Sequence, residues 1–201
     1  MTDVSFSDNP LHTLARWAQE AEDAGEPSSR TMTFATSGAD GTPHARTVLT
    51  TVIDDESVRF HSSRPTTKTR DLAENPRSSG VFYWPGLARQ VVMDGTAHQM
   101  PADVSREAYP ARPPQLQLLA WVYEELNDDD AVTTADPDDV LRVFDAHAQR
   151  DPLPMPPSWT TVRLIPERMM FWVSHGPDRP PWRVCFDLAA DGTWNRRHVL
   201  P

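Results

Sequence analysis

The chain has 201 residues, a formal net charge of −10 and 38% hydrophobic residues, a size that fits one ordinary domain able to bury a core. So acidic a balance argues against a nucleic-acid backbone or an anionic membrane face as partner, since both require a basic surface. The modest apolar content and 20 prolines suit a small barrel with irregular connections that completes its burial by pairing with a second copy.

In chain order, residues 10–24 place Leu11, Leu14, Ala15, Ala18 and Ala21 at helical spacing, an amphipathic helix that Gly25 and Pro27 end. TMTFATSGADGTPHARTVLTTV reads as two strands joined by a turn at Asp40-Gly41, and SVRFHSS as a third. TTKTRDLAEN is predicted as a short helix opened by Thr66 or Thr67, with Asn75-Pro76 closing it. SSGVFYWPG and LARQVVMDGTAHQM form a strand pair around Pro85-Gly86. The middle is helical: ADVSREAY, then QLQLLAWVYEEL, then after an acidic loop DVLRVFDAHAQ, with Asp136 as cap and Pro137 at the first position. A Pro-rich connector leads to four strands, TTVRLIP, RMMFWVS, PWRVCFDL and TWNRRHVL, the last two joined at Asp191-Gly192. The order reads as one domain over residues 1–201, mainly β in an α+β arrangement. It has a helical arm over 1–28, a helical insert over 101–150 and C-terminal strands over 158–201, as a closed antiparallel barrel with helices outside.

Several chemistries find no support. There is no GxGxxG, no GxxxxGK[ST], no GxSxG and no HExxH, and the seven histidines show no ligand spacing, so no metal is expected. Asp128, Asp129 and Asp130 read as a solvated acidic loop. The single Cys185 rules out an intramolecular disulfide and a thiolate cluster, and its alternating segment WRVCF makes it a buried strand residue. No apolar run approaches the roughly 18–20 residues of a membrane span, and MTDVSFSDNP lacks an apolar signal core; a cytoplasmic protein is expected.

Five segments in series, ARTVLTT, RFHSSRPTTKTRDLAENPRSS, YWPGLARQVVMDGTA, YPARPPQLQLLAW and the C-terminal VRLIPERMMFWVSHGPDRPPWR with DGTWNRRHVLP, resemble the pyridoxamine 5'-phosphate oxidase family. The resemblance implies an FMN-binding split β-barrel with peripheral helices, a homodimer holding FMN at the subunit interface. It makes Arg46 and Lys68 the cations at the flavin phosphate, and Thr47, Val48 and Leu49 the strand beside it. His61 and Ser62 replace a Tyr-Thr pair next to the cofactor. Gln90 matches a flavin-binding glutamine, and Trp172 and Arg183 match residues from the other subunit.

The departures are equally specific. Thr67 stands where the family has a second phosphate-binding arginine, a loss of about 1.5–3 kcal/mol, or ten- to a hundredfold in affinity. Glu125 and Leu126 occupy the place of a Gln-Ser pair. On the substrate side the family's lysine is Thr51, its serine is Leu116, and its tyrosine is Ala108 with Tyr109 adjacent; Arg112 is retained. In the arginine-Leu-histidine substrate motif Arg179 remains and Pro181 replaces the histidine. These losses resemble the flavin oxidases of phenazine biosynthesis more than a true pyridoxamine-phosphate oxidase. The expected function is FMN-dependent oxidation of a reduced cyclic, carboxylated small metabolite, with Arg112, Arg179 and Tyr109 at the substrate. Three alternatives stand beside it: a pyridoxamine-phosphate oxidase with a phosphate site rebuilt from Tyr109, Arg112 and Arg179, a reductase using the deazaflavin F420, and a ligand-binding barrel without catalysis.

Overall fold

A computed structural model describes residues 4–128, 134–150 and 152–201; Asp129 and Asp130 lie outside the described residues. Eight antiparallel strands form one sheet: β1 (Thr31–Ser37), β2 (Pro43–Ile53), β3 (Val58–Ser63), β4 (Arg77–Trp84), β5 (Arg89–Gln99), β6 (Trp159–Val173), β7 (Trp182–Leu188) and β8 (Trp194–Val199). The order is β3-β2-β1-β4-β5-β6-β7-β8, and β6 pairs with β3 as well. The first six strands therefore close into a barrel, and β7 and β8 extend the sheet beyond it. Gly41 and Gly192 supply the positive φ of the β1–β2 and β7–β8 turns, at 78° and 84°.

Alternation along the strands sends Met32, Phe34, Phe60, Phe82, Met93 and Phe171 into a fully buried core, where the Phe34 and Phe60 rings lie 4.8 Å apart. Helix α1 (Pro10–Asp23) begins at Asn9, whose side chain accepts from the Leu11 N–H at 3.0 Å. It lays Leu14 and Trp17 on this core, with the Trp17 ring edge-on to Phe171 at 5.2 Å. Helix α2 (Thr67–Glu74) packs on β1 and β5; its entry is fixed by the Thr66 N–H donating to Thr69 Oγ1 at 2.8 Å. Of the remaining helices, α3 (Ala102–Ala108) rests on β6, while α4 (Pro114–Leu126) and α5 (Pro137–Ala148) pack on each other. The Asp136 side chain caps α5, accepting from the Asp138 N–H at 2.8 Å.

One expectation about strands is corrected. TTVRLIP and RMMFWVS are one fifteen-residue strand, because the break at Pro166 is absorbed by a bulge. There the register slips, so that Gly95 faces Pro166 while Asp94 faces Arg168, and a missing proline N–H costs nothing at such a site. Before the bulge β6 pairs with β3, and after it with β7; the kink hands the strand from one neighbour to the other. Thr51 likewise sits at an irregularity, between the Thr50–Phe60 and Val52–Arg59 pairs.

A Cβ on Gly95 would lie 2.0 Å from the Ile165 carbonyl oxygen, where backbone cannot yield. Gly95→Ala is expected to destabilise the fold by at least about 2 kcal/mol, read as a lower urea midpoint at unchanged slope; a midpoint equal to wild type would show that the bulge relaxes freely.

Candidate functional site

Beyond the Thr50–Phe60 pair, β2 and β3 part. Residues 43–49 of β2 pair only with β1, and His61–Ser63 of β3 only with β6. Into this gap opens a cavity of about 1070 Å³, ample for a cofactor and a small ligand. One wall is the freed stretch of β2 and another is His61–Ser63 with the start of α2; the third is apolar, from Leu116, Leu119, Ala120 and Leu126 of α4 with Val140 of α5.

At the α2 end, Lys68 Nζ donates to Ser62 Oγ at 2.8 Å and to Thr66 Oγ1 at 3.3 Å. Burial, and secondarily Arg46, pushes the Lys68 amine down to about 8. Arg46 Nη1 donates to Phe34 O at 3.2 Å and Thr36 Oγ1 at 2.8 Å. Burial lowers the pKa of Arg46 too, against the opposing effect of Asp71. Asp71 is itself buried, accepting from Thr36 Oγ1 at 2.6 Å and hydrogen bonding His44 Nδ1 at 3.0 Å.

A second cationic group is organised by Trp159, whose indole is buried. His61 stacks on it at 4.4 Å, Arg112 lies over its ring at 5.5 Å and Tyr109 meets it edge-on at 4.9 Å. The His61 ring also hydrogen bonds Thr161 Oγ1 through Nδ1 at 3.1 Å. Burial first, and Arg112 second, hold the His61 imidazole at about 4, so it is neutral near pH 7. Arg112 donates through Nε to Leu116 O at 3.2 Å, and burial lowers its pKa.

The cavity thus gathers Arg46, Thr47, Val48, Leu49, His61, Ser62, Thr67, Lys68 and Arg112 on its walls. Other expected residues stand elsewhere. Tyr109 is buried behind Trp159, its hydroxyl donating to Gln117 O at 3.4 Å, and burial raises its pKa. Arg179 is exposed in the β6–β7 connection. Glu125 turns from the cavity to His147 Nε2 at 2.6 Å, leaving only Leu126 of that pair on the wall. Gln90, Trp172 and Arg183 are direct partners across β5, β6 and β7, a contiguous row outside this chain's own cavity. Sequence reasoning missed His44, Asp71 and Trp159. His44 was legible by alternation, two residues before Arg46 on the same strand face; Asp71 and Trp159 act through tertiary contacts and carry no local signal.

Among the described residues no Asp or Glu lines the cavity, no group of three or more His, Cys, Asp or Glu could hold a metal ion, and no helix is long and apolar enough to cross a membrane.

Closed barrel and cation-walled cleft together define a split-barrel protein. The family model described as pyridoxamine 5'-phosphate oxidase matches residues 18–147, and the chain belongs to that family. A pyridoxine/pyridoxamine 5'-phosphate oxidase of Salinibacter ruber is 34% identical over 194 residues, covering 94% of this chain and 89% of its own. One of Ralstonia pickettii is 34% identical over 203 residues, covering 100% and 92%. Among solved structures, PhzG from Burkholderia lata 383, in complex with tetrahydrophenazine-1-carboxylic acid, superposes with a TM-score of 0.84 at 23% identity, covering 97% of this chain and 94% of its own. A pyridoxamine 5'-phosphate oxidase-related, FMN-binding protein of Nostoc punctiforme gives 0.78 at 16% identity, covering 99% and 100%. At these identities the structural likeness concerns the fold.

Because the unfolded chain protonates His61 near 6.5 and the folded chain only near 4, its contribution to stability is complete above pH 6.5 and falls as pH drops toward 4. His61→Gln is expected to flatten that part of the stability profile, measured by urea unfolding between pH 7 and 4.5; a slope identical to wild type would show that His61 is not the group responsible.

Proposed function

We propose that this chain is an FMN-dependent oxidoreductase acting on a reduced, cyclic, carboxylated small metabolite. The observation that supports it most directly is the placement of Arg46, Lys68 and Arg112 around one cavity that no Asp or Glu lines among the described residues, in a chain of net charge −10. Three desolvated cations are costly unless an anion joins them.

The donor set fits FMN. Arg46 and Lys68 supply fixed positive donors for a dianionic phosphate, with Ser62 and Thr67 beside them, and the α4 wall offers apolar surface for a ring. FMN would supply a two-electron acceptor for a hydride. The chain's own residues do the rest. The α4 and α5 side chains exclude water from the ring, neutral His61 offers a hydrogen bond that does not change near neutral pH, and Arg112 pairs with a substrate carboxylate, held in place by Trp159 and the Leu116 carbonyl. No side chain is needed as a strong base.

In this reading the site is completed by a second copy. The row Tyr83, Gln90, Trp172 and Arg183 runs across four adjacent strands, with Tyr83 55% exposed and Leu49 48% exposed on β2. Arg183 Nε is buried without a hydrogen-bond partner. Such a face suits burial against a symmetry mate whose cavity receives Trp172 and Arg183.

Apoprotein titrated with FMN is expected to saturate at about one flavin per chain in a particle of two chains by light scattering. Lys68→Met would weaken binding by about ten- to a hundredfold. No saturable binding would overturn the cofactor, and a monomer would remove Trp172 and Arg183 from the site.

The relatives named as pyridoxine/pyridoxamine 5'-phosphate oxidases favour a second reading, oxidation of pyridoxine 5'-phosphate itself. Against it stand Thr51 at the β2 bulge, off the cavity, and Leu116 on the apolar wall. Steady-state assays separate the two. Arg112→Ala is expected to raise KM for a reduced cyclic carboxylate by about tenfold or more with little change in kcat, and wild type is expected to leave pyridoxine 5'-phosphate unoxidised. Efficient turnover of that phosphate would reverse the assignment.

A further inference from the structure

His44 is used by nothing in the functional reading above. It stands on β2 two residues before Arg46 and lines the same cavity, pointing to the same strand face. Its register partner on β1 is Thr36, the residue whose hydroxyl links Arg46 to Asp71. Asp71 comes from α2 and is 6% exposed; it takes His44 Nδ1 at 3.0 Å. A buried carboxylate at Nδ1 fixes the ring orientation and places a proton on Nδ1. Nε2 has no partner among the described residues, so it is the ring atom left for a ligand. The charges around the ring are Asp71 and Lys68 from α2, Arg46 from β2 and Asp40 from the β1–β2 turn, whose carboxyl pKa is lowered mainly by Thr42 and in part by His44.

The charge balance at this end of the cavity is incomplete. Arg46 and Lys68 are its cations, and Asp71 offsets one of them. A dianionic phosphate is then under-matched, and Thr67 contributes a hydroxyl where a guanidinium would restore the balance. A further donor from position 44, on the same strand face as Arg46, would supply what Thr67 does not.

We propose that His44, oriented by Asp71, is a third donor to the ligand phosphate, filling through Nε2 the place that Thr67 leaves. The inference rests on the reading that the cavity takes FMN, and its test separates the two. Riboflavin has the same ring system and no phosphate, so the ratio of its dissociation constant to that of FMN reports the phosphate end alone. Both flavins are titrated by fluorescence quenching against wild type, His44→Phe and His12→Phe, an exposed histidine outside the cavity, with unfolding temperatures as the check on folding.

The expected result is a ratio lowered about ten- to a hundredfold in His44→Phe, with riboflavin affinity and the His12→Phe ratio both held at wild-type values. His44→Asn, which keeps a neutral donor, is expected to fall between, and it serves as the second variant if the phenylalanine does not fold. A ratio within about twofold of wild type in folded His44→Phe and His44→Asn overturns the proposal and leaves the FMN site standing. So does an equal loss for both flavins, which would make His44 a shaping residue. Wild type that binds neither flavin overturns the FMN reading and this inference together.

Discussion

Everything functional in this molecule depends on two neighbouring strands failing to stay together. β2 and β3 are hydrogen-bonded near the hairpin and separate beyond Thr50 and Phe60, and what separates them is the demand of other partners. β3 is drawn onto β6 from Val58 to Ser63, and β2 is held by β1 from Pro43 to Leu49. A barrel of six strands can satisfy both only by opening a seam, and α2, which follows β3 directly, is delivered into it. The helix start, the strand edges and the cations therefore converge because of strand pairing, while the core of Phe34, Phe60, Phe82 and Phe171 remains closed behind them. Ligand binding at such a seam does not require the core to open, so a packed interior and an accessible site coexist.

The electrostatics follow from the same geometry. Lys68 and Arg46 approach each other because α2 caps the barrel where β2 presents its inward face, and Arg112 is held over Trp159 because the α3–α4 connection crosses the start of β6. Each of these groups pays a desolvation cost, visible as a lowered pKa, and the carboxylates that abound elsewhere are kept off the wall. Asp71 is the informative exception: it neutralises part of the cluster from behind, through Thr36 and His44, without entering the cavity. The site is attractive to anions yet tolerable to the fold when empty of counter-charge.

Much of this was legible in the sequence. Helix ends were marked by Asp136 and Gly25, hairpins by Gly41 and Gly192, and the barrel face by alternation in segments such as RQVVMDGTA. Arg46, His61, Ser62, Lys68 and Arg112, which the motif series singles out, stand around one cavity. What was not legible was set by contacts between distant segments. Pro166 reads locally as a strand end, and only its position opposite Gly95 turns it into a bulge inside a continuous strand. The family resemblance puts Glu125 in the place of a cofactor-contacting residue, and only the packing of α5 shows that His147 claims it. Tyr109 stands one residue from the family position, and a one-residue shift on a helical turn was enough to point it behind Trp159.

The sheet also has to end somewhere. Closure through β3 and β6 leaves β8 as its terminal strand, and the exposed residues there are Asn195, Arg196, Arg197 and His198. A free edge is a template on which another chain can add a strand. Adjoining arginines penalise the approach of an identical edge by charge repulsion, and Arg197 is further engaged with Asp187 at 3.0 Å. Edge-to-edge growth of the sheet, which has no natural stopping point, is thereby disfavoured.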